Sequence, residues 1–219
     1  MIRAFFADFY GTLVHEDGAV IKRITEIIRN TGNAGDDGEI GAFWREDFQN
    51  LLLDAYGDRF ETQRALERRS IEHTLERFGS SADAEELSNL LFDHWIKPPI
   101  FEESKDFLET SPVPVYIVSN IDKMDIHRAL DCHALKPSGV YTSEDARAYK
   151  PRRELFQLAL DDTGLRPEEV IHIGDSVSSD VKGAGALKIR ALWLNRSGRK
   201  TPDGVTGIAD LLESFDYLP

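Results

Sequence analysis

Cysteine is almost missing from this chain: Cys132 is the only one in 219 residues. An internal disulfide framework is therefore excluded, so the fold must rest on its core. Basic residues are also scarce, with 26 Lys and Arg against 39 Asp and Glu and a formal net charge of -13. That balance argues against nucleic acid, an anionic membrane surface or any other polyanion as the main partner. A small phosphorylated molecule stays admissible, because a bound cation offsets its charge locally. No apolar run approaches the roughly 20 residues needed to cross a bilayer, and no signal-peptide pattern is visible. A cytoplasmic protein is expected. What is present is ordinary for a globular chain, 41% hydrophobic and 30% charged, and long enough for one large domain or a domain with an insertion. Cys132 falls in a predicted helix and reads as a small buried residue.

The hydrophobic pattern changes twice along the chain. The run Ile2 to Phe9 is apolar and short, as in a buried strand. From Val20 to Ile96 the apolar residues recur at helical spacing, for example Ile21, Ile24, Ile27, Ile28 and later Leu87, Leu90, Leu91, Trp95. Turn residues at Thr31-Gly32-Asn33, Tyr56-Gly57-Asp58 and Phe78-Gly79-Ser80-Ser81 divide this block into four predicted helices, and Lys97-Pro98-Pro99 closes it. Beyond Ile100, strand and helix alternate. Strands are predicted at Val115 to Ser119, Gly139 to Thr142, Val170 to Gly174 and Arg190 to Leu194. Helices are predicted from Lys123, Arg153, Ser178 and Gly207, the last ending at Phe215. Repeated β-α units imply a parallel sheet covered on both faces. The expected fold is α/β, with residues 1–14 and 100–219 forming the core and 15–99 a helical cap.

Four short motifs sit where such a sheet would gather them. Asp8-Phe9-Tyr10-Gly11-Thr12 places a carboxylate at the end of the first strand, where open α/β sheets hold their ligands. Ser119-Asn120 ends another strand with a hydroxyl and an amide, donors suited to an oxyanion; a helix cap would use the same residues. Lys150-Pro151 offers one cation. Gly174-Asp175 with Asp180 carries two carboxylates around a strand-to-helix turn, hard oxygen ligands of the kind Mg²⁺ takes together with waters and phosphate.

In this order the motifs resemble those of the haloacid dehalogenase-like hydrolases, over nearly the whole chain. The resemblance implies a Rossmann-like core in which Asp8 is the nucleophile and forms a covalent intermediate. Thr12 belongs to the same motif, Ser119 would bind the transferring group beside Asn120, and Lys150 would steady the nucleophile. Mg²⁺ would be held by Asp8, the Tyr10 carbonyl and Asp175, with Asp180 supporting them. His172, inside a strand, reads as packing. Tyr10 stands where most phosphatases of the superfamily have a second Asp, the acid and base for the leaving alcohol; the 2-haloacid dehalogenases have Tyr there. Trp44-Arg45 also resembles the dehalogenase pair whose Arg receives the halide. Against this, those dehalogenases have Ser, Asn and Tyr where this chain has Asp175, Val177 and Phe156. The sequence therefore favours a Mg²⁺-dependent phosphatase or phosphotransferase acting on a small phosphorylated metabolite, with a metal-free 2-haloacid dehalogenase as the alternative and a binding relic without turnover as the third reading. Substrate identity and oligomeric state stay open.

Overall fold

The computed structural model describes residues 1–219. Its centre is a parallel six-stranded sheet: β1 (Ala4–Ala7), β2 (Val115–Ser119), β3 (Gly139–Thr142), β4 (Val170–Gly174), β5 (Arg190–Leu194) and β6 (Thr206–Ile208), in the order β3-β2-β1-β4-β5-β6. The chain builds outward from β1 in one direction and then, from β4, in the other. The order thus reverses between the two central strands, which leaves a crevice at their carboxyl ends. All residues of β1 and β4 are buried, and alternate side chains enter opposite layers. Phe5 and Ala7 join one core with Ile117, Ile171 and Leu192, while Phe6 joins the other with Val118, Phe156 and Ala184.

Four helices lie between β1 and β2: α1 (Gly18–Thr31), α2 (Asp37–Asp54), α3 (Gln63–Phe78) and α4 (Ala84–Ile96). Local chemistry fixes their ends. Asp36 and Glu39 form a reciprocal cap on α2, Thr62 caps α3, and α3 stops at Gly79, whose φ of +60° suits glycine. The chain leaves and returns to the core along paired segments, with His15 N donating to Pro99 O at 2.8 Å and Phe101 N to Leu13 O at 3.3 Å. α3 is anchored to the core by Asp122, whose carboxylate accepts from Gln63 N at 2.7 Å and Arg64 N at 3.0 Å. Asp122 thereby meets orphan amides at the helix start. Arg64 Nε reaches the buried Asp125 carboxylate at 2.8 Å.

The remaining helices are α5 (Ser104–Thr110), α6 (Lys123–His133), α7 (Ser143–Ala146), α8 (Arg153–Thr163) and α9 (Lys182–Ala186). Three expectations need correction. The segment expected as a helix from Gly207 to Phe215 begins as β6, paired with Leu192 to Leu194, and ends as a tight helical turn over Leu212–Tyr217. The helix expected from Ser178 starts as a wide turn over Val177–Val181, where Val181 N donates to Ser176 O at 3.2 Å, and only then tightens into α9. Cys132 is exposed: α6 buries Asp125, Ile126, Ala129 and Leu130, and Cys132 points away from that face. No helix is long and apolar enough to cross a membrane.

Candidate active site

Asp8 follows β1 directly, and its amide donates to Ile173 O on β4 at 2.9 Å. The chain then breaks from the sheet through Gly11, at φ +77°. A Cβ at Gly11 would stand 2.6 Å from the Asp175 carboxyl carbon, so glycine is required both for the turn and for the close approach of the two motifs. Arg196 braces the loop from behind, donating to Gly11 O at 3.0 Å and Thr12 O at 2.8 Å while pairing with Glu103. Thr12 is fully buried and its Oγ1 has no partner.

Lys150 is the hub. Its Nζ lies 2.9 Å from Asp8 Oδ1, 2.7 Å from Asp180 Oδ1 and 2.9 Å from Val118 O, so all three N–H groups of a side chain 1% exposed are used. Asn120 holds the Lys150 backbone from both sides, its Oδ1 accepting from Lys150 N at 2.7 Å and its Nδ2 donating to Lys150 O at 3.1 Å. The Asn120 amide is thus engaged in positioning Lys150, whereas the sequence suggested an oxyanion donor. Asp180 accepts from Ser176 N at 3.0 Å as well as from Lys150, and lies 2.9 Å from His172 Nε2. His172, read from the sequence as packing, is therefore part of this buried network. A lone His within the otherwise apolar strand Val170 to Gly174 was the available sign of it. Arg196 had none, being one Arg in a loop after β5.

The electrostatics are unbalanced. Ligand atoms of Asp8, Asp175 and Asp180 lie within 4.8 Å of one another, with Lys150 the one cation bonded among them. Burial pushes the Asp8 carboxyl up, against the pull of Lys150 and the Ser119 hydroxyl. Burial, then repulsion from Asp8 and Asp180, pushes Asp175 up to about 8. Asp180 goes the other way, well below the carboxylate range, because Lys150 and His172 outweigh its burial. A cation beside Asp8 and Asp175 would relieve this excess, and their hard oxygens suit Mg²⁺. Asp180, with both oxygens already bonded, is placed to support the site.

Above the sheet a cleft of about 550 Å³ separates cap from core, lined by Tyr10, Trp44, Arg45, Glu67, Trp95 and Asn120 among others. The Tyr10 hydroxyl donates to Trp95 O in the last turn of α4, and burial beside Asp125 and Asp17 raises its pKa far above the ordinary phenol value. Tyr10 is thus a structural tie. Arg45 is exposed at the cleft, while Phe156 is buried edge-on against His172 at 4.9 Å and takes no place in the site. Val177 opens the wide turn.

The model of the haloacid dehalogenase-like hydrolases matches residues 2–188. The chain is 32% identical over 143 residues to haloacid dehalogenase-like hydrolase domain-containing protein 3 of Danio rerio, covering 62% of this chain and spanning 59% of that relative's length. It is 25% identical to (S)-2-haloacid dehalogenase 1 of Pseudomonas sp. over 100% of this chain and 95% of that one. It is 27% identical to the phosphoserine phosphatase of Thermus thermophilus over 78% and 76% of the two chains. The L-2-haloacid dehalogenase of Xanthobacter autotrophicus shares the fold, with a TM-score of 0.77 at 18% identity over 99% and 98% of the chains.

Proposed function

The chain belongs to the haloacid dehalogenase-like hydrolases, and from that premise we propose that it is a Mg²⁺-dependent phosphohydrolase of a small phosphorylated metabolite, working through an aspartyl-phosphate at Asp8. The observation that carries this reading is Asp175, a carboxyl packed across Gly11 toward Asp8 and pushed up to about 8 by burial and its acidic neighbours. Displacement of halide from a 2-haloacid gives that group no task. Bound beside Asp8 and Asp175, Mg²⁺ would offset the charge of the phosphoryl oxygens. Lys150 holds the Asp8 carboxylate in one orientation, and the Ser119 hydroxyl, which bonds the same carboxylate, would turn to the transferring group. Tyr10 has no proton to spare, since its hydroxyl is bonded to Trp95 O. General acids contribute about 10²- to 10⁴-fold, so the favoured substrates are acyl or aryl phosphates, whose leaving groups depart without a proton.

The second reading, metal-free 2-haloacid dehalogenation, draws on Arg45 and Trp44 in the cleft and on the dehalogenase relatives. A panel of 4-nitrophenyl phosphate, acetyl phosphate and 2-chloropropionate, each with Mg²⁺ and with chelator, separates the two. Phosphate release that chelator stops is expected; halide release undisturbed by chelator would put dehalogenation in first place. Asp175→Asn should weaken Mg²⁺ binding by on the order of 10- to 100-fold in titration calorimetry, because a hard anionic ligand becomes a neutral amide. Unchanged affinity would place the cation elsewhere.

A further inference from the structure

The cap wall of the cleft carries a buried carboxyl that the chemistry above does not use. Glu67 on α3 is 4% exposed, and its Oε1 accepts from Trp44 Nε1 at 2.7 Å. No basic side chain pairs with it. The charged and titratable groups facing the same cleft are Glu16 and Asp17 from the segment before α1, Arg45 on α2, exposed at the cleft edge, and Tyr10 from the core. Asp17 is already bonded to Trp95 Nε1 at 3.0 Å, and its negative charge acts on Glu67. A buried carboxyl with one N–H donor and acidic neighbours holds its proton. Burial and Asp17 accordingly push Glu67 up to about 8. At neutral pH it is therefore a hydrogen-bond donor as well as an acceptor.

One helical turn earlier on the same face is Gln63, which also lines the cleft and whose Oε1 is buried with no partner. Its main chain is fixed by the bond from Gln63 N to Asp122, so the side chain starts from a set position. A buried acceptor without a donor is costly unless a ligand or water completes it.

We propose that Glu67 and Gln63 form a donor–acceptor subsite that takes a neutral hydroxyl on the leaving group of the substrate. A hydroxyl accepts from the Glu67 carboxyl and donates to Gln63 Oε1, using both groups at once. A carboxylate can serve only one of them and would meet Glu16 and Asp17. This deepens the phosphohydrolase reading and rests on it.

The test uses two non-hydrolysable phosphonates that differ only in the hydroxyl, 3-hydroxypropylphosphonate and propylphosphonate, bound to the full chain with Mg²⁺ and followed by calorimetry. At pH 7 the hydroxylated ligand should bind about tenfold more tightly, the range of one net hydrogen bond. The preference should fall well above pH 8, because ionised Glu67 can no longer donate and the hydroxyl keeps at most one of its two bonds; phosphonate ionisation is common to both ligands and cancels in the ratio. Glu67→Gln, still a donor but without a titrating proton, should keep the preference at both pH values, and Glu67→Leu should lose it at both. If Glu67→Leu fails to fold by circular dichroism, the flat profile of Glu67→Gln against the falling one of the parent decides. Equal binding of the two phosphonates by the parent, or a preference that survives in Glu67→Leu, overturns the subsite and leaves the phosphohydrolase reading intact. If neither phosphonate binds, that reading falls and the subsite falls with it.

Discussion

Asp8→Asn should lower turnover on the preferred substrate by on the order of 10⁴-fold or more, which corresponds to about 5.5 kcal/mol or more of lost transition-state stabilisation. The amide cannot attack, and Lys150, which orients the attacking oxygen, has nothing else to activate there. The fold should survive. Lys150 keeps its 2.7 Å contact with Asp180, and Asp175 loses the acidic neighbour that contributes most to its raised proton affinity. Unfolding by denaturant should therefore show a parent-like or slightly higher midpoint, and intact-mass analysis of quenched reactions should lack the phosphoryl adduct expected of the parent. The result bears on every chemistry considered, because phosphoryl transfer and halide displacement both need an attacking carboxylate. Parent-like turnover in correctly folded Asp8→Asn would remove the covalent mechanism and point to direct attack by water.

Much of this site was legible in the sequence because its residues sit at strand ends, where a short apolar run followed by Gly or a polar pair leaves little choice of conformation. Asp8, Ser119 and Asp175 follow that rule, and the parallel sheet brings their strands together as neighbours. Roles set by side-chain direction were harder to read. Asn120 reads as a donor toward substrate until Lys150 is seen to lie across it, and His172 reads as packing until the Asp180 carboxylate is seen at its ring. Glu67 gave no sign at all, since a Glu amid Arg64, Arg68 and Arg69 looks like a solvated helix face; burial against Trp44 is a tertiary fact. The Gly207 to Phe215 segment misled through its spacing, with Ile208, Leu211 and Phe215 on a helical period. Pairing with β5 satisfied the backbone there and outweighed the period.

Lys150→Met should cost about 3–5 kcal/mol of stability near neutral pH, the range for removing one partner of a buried ion pair. The loss comes from what is left behind. Asp8 and Asp180 would be two buried carboxylates with their shared cation gone, and Val118 O would lose its donor. The pH dependence gives the sign. In the parent, Asp180 is held below its ordinary value of 3.8, so its contribution is present above that pH and is lost as the pH falls through the depressed value. Lys150 is held above 10.5, so its contribution is present below that pH and disappears only in stronger base. The parent should accordingly be insensitive to these groups between about pH 5 and pH 8. In Lys150→Met, burial is no longer opposed by the cation, so Asp180 moves up from its depressed value and Asp8, already above its ordinary value, moves further up. Acidification then neutralises them and stabilises the fold, so over that same window the variant should gain stability as the pH is lowered. Denaturant midpoints at both ends of the window measure it. A variant that loses stability toward acid, or loses less than about 1 kcal/mol at neutral pH, would show that Lys150 is not the counter-charge on which Asp8 and Asp180 depend.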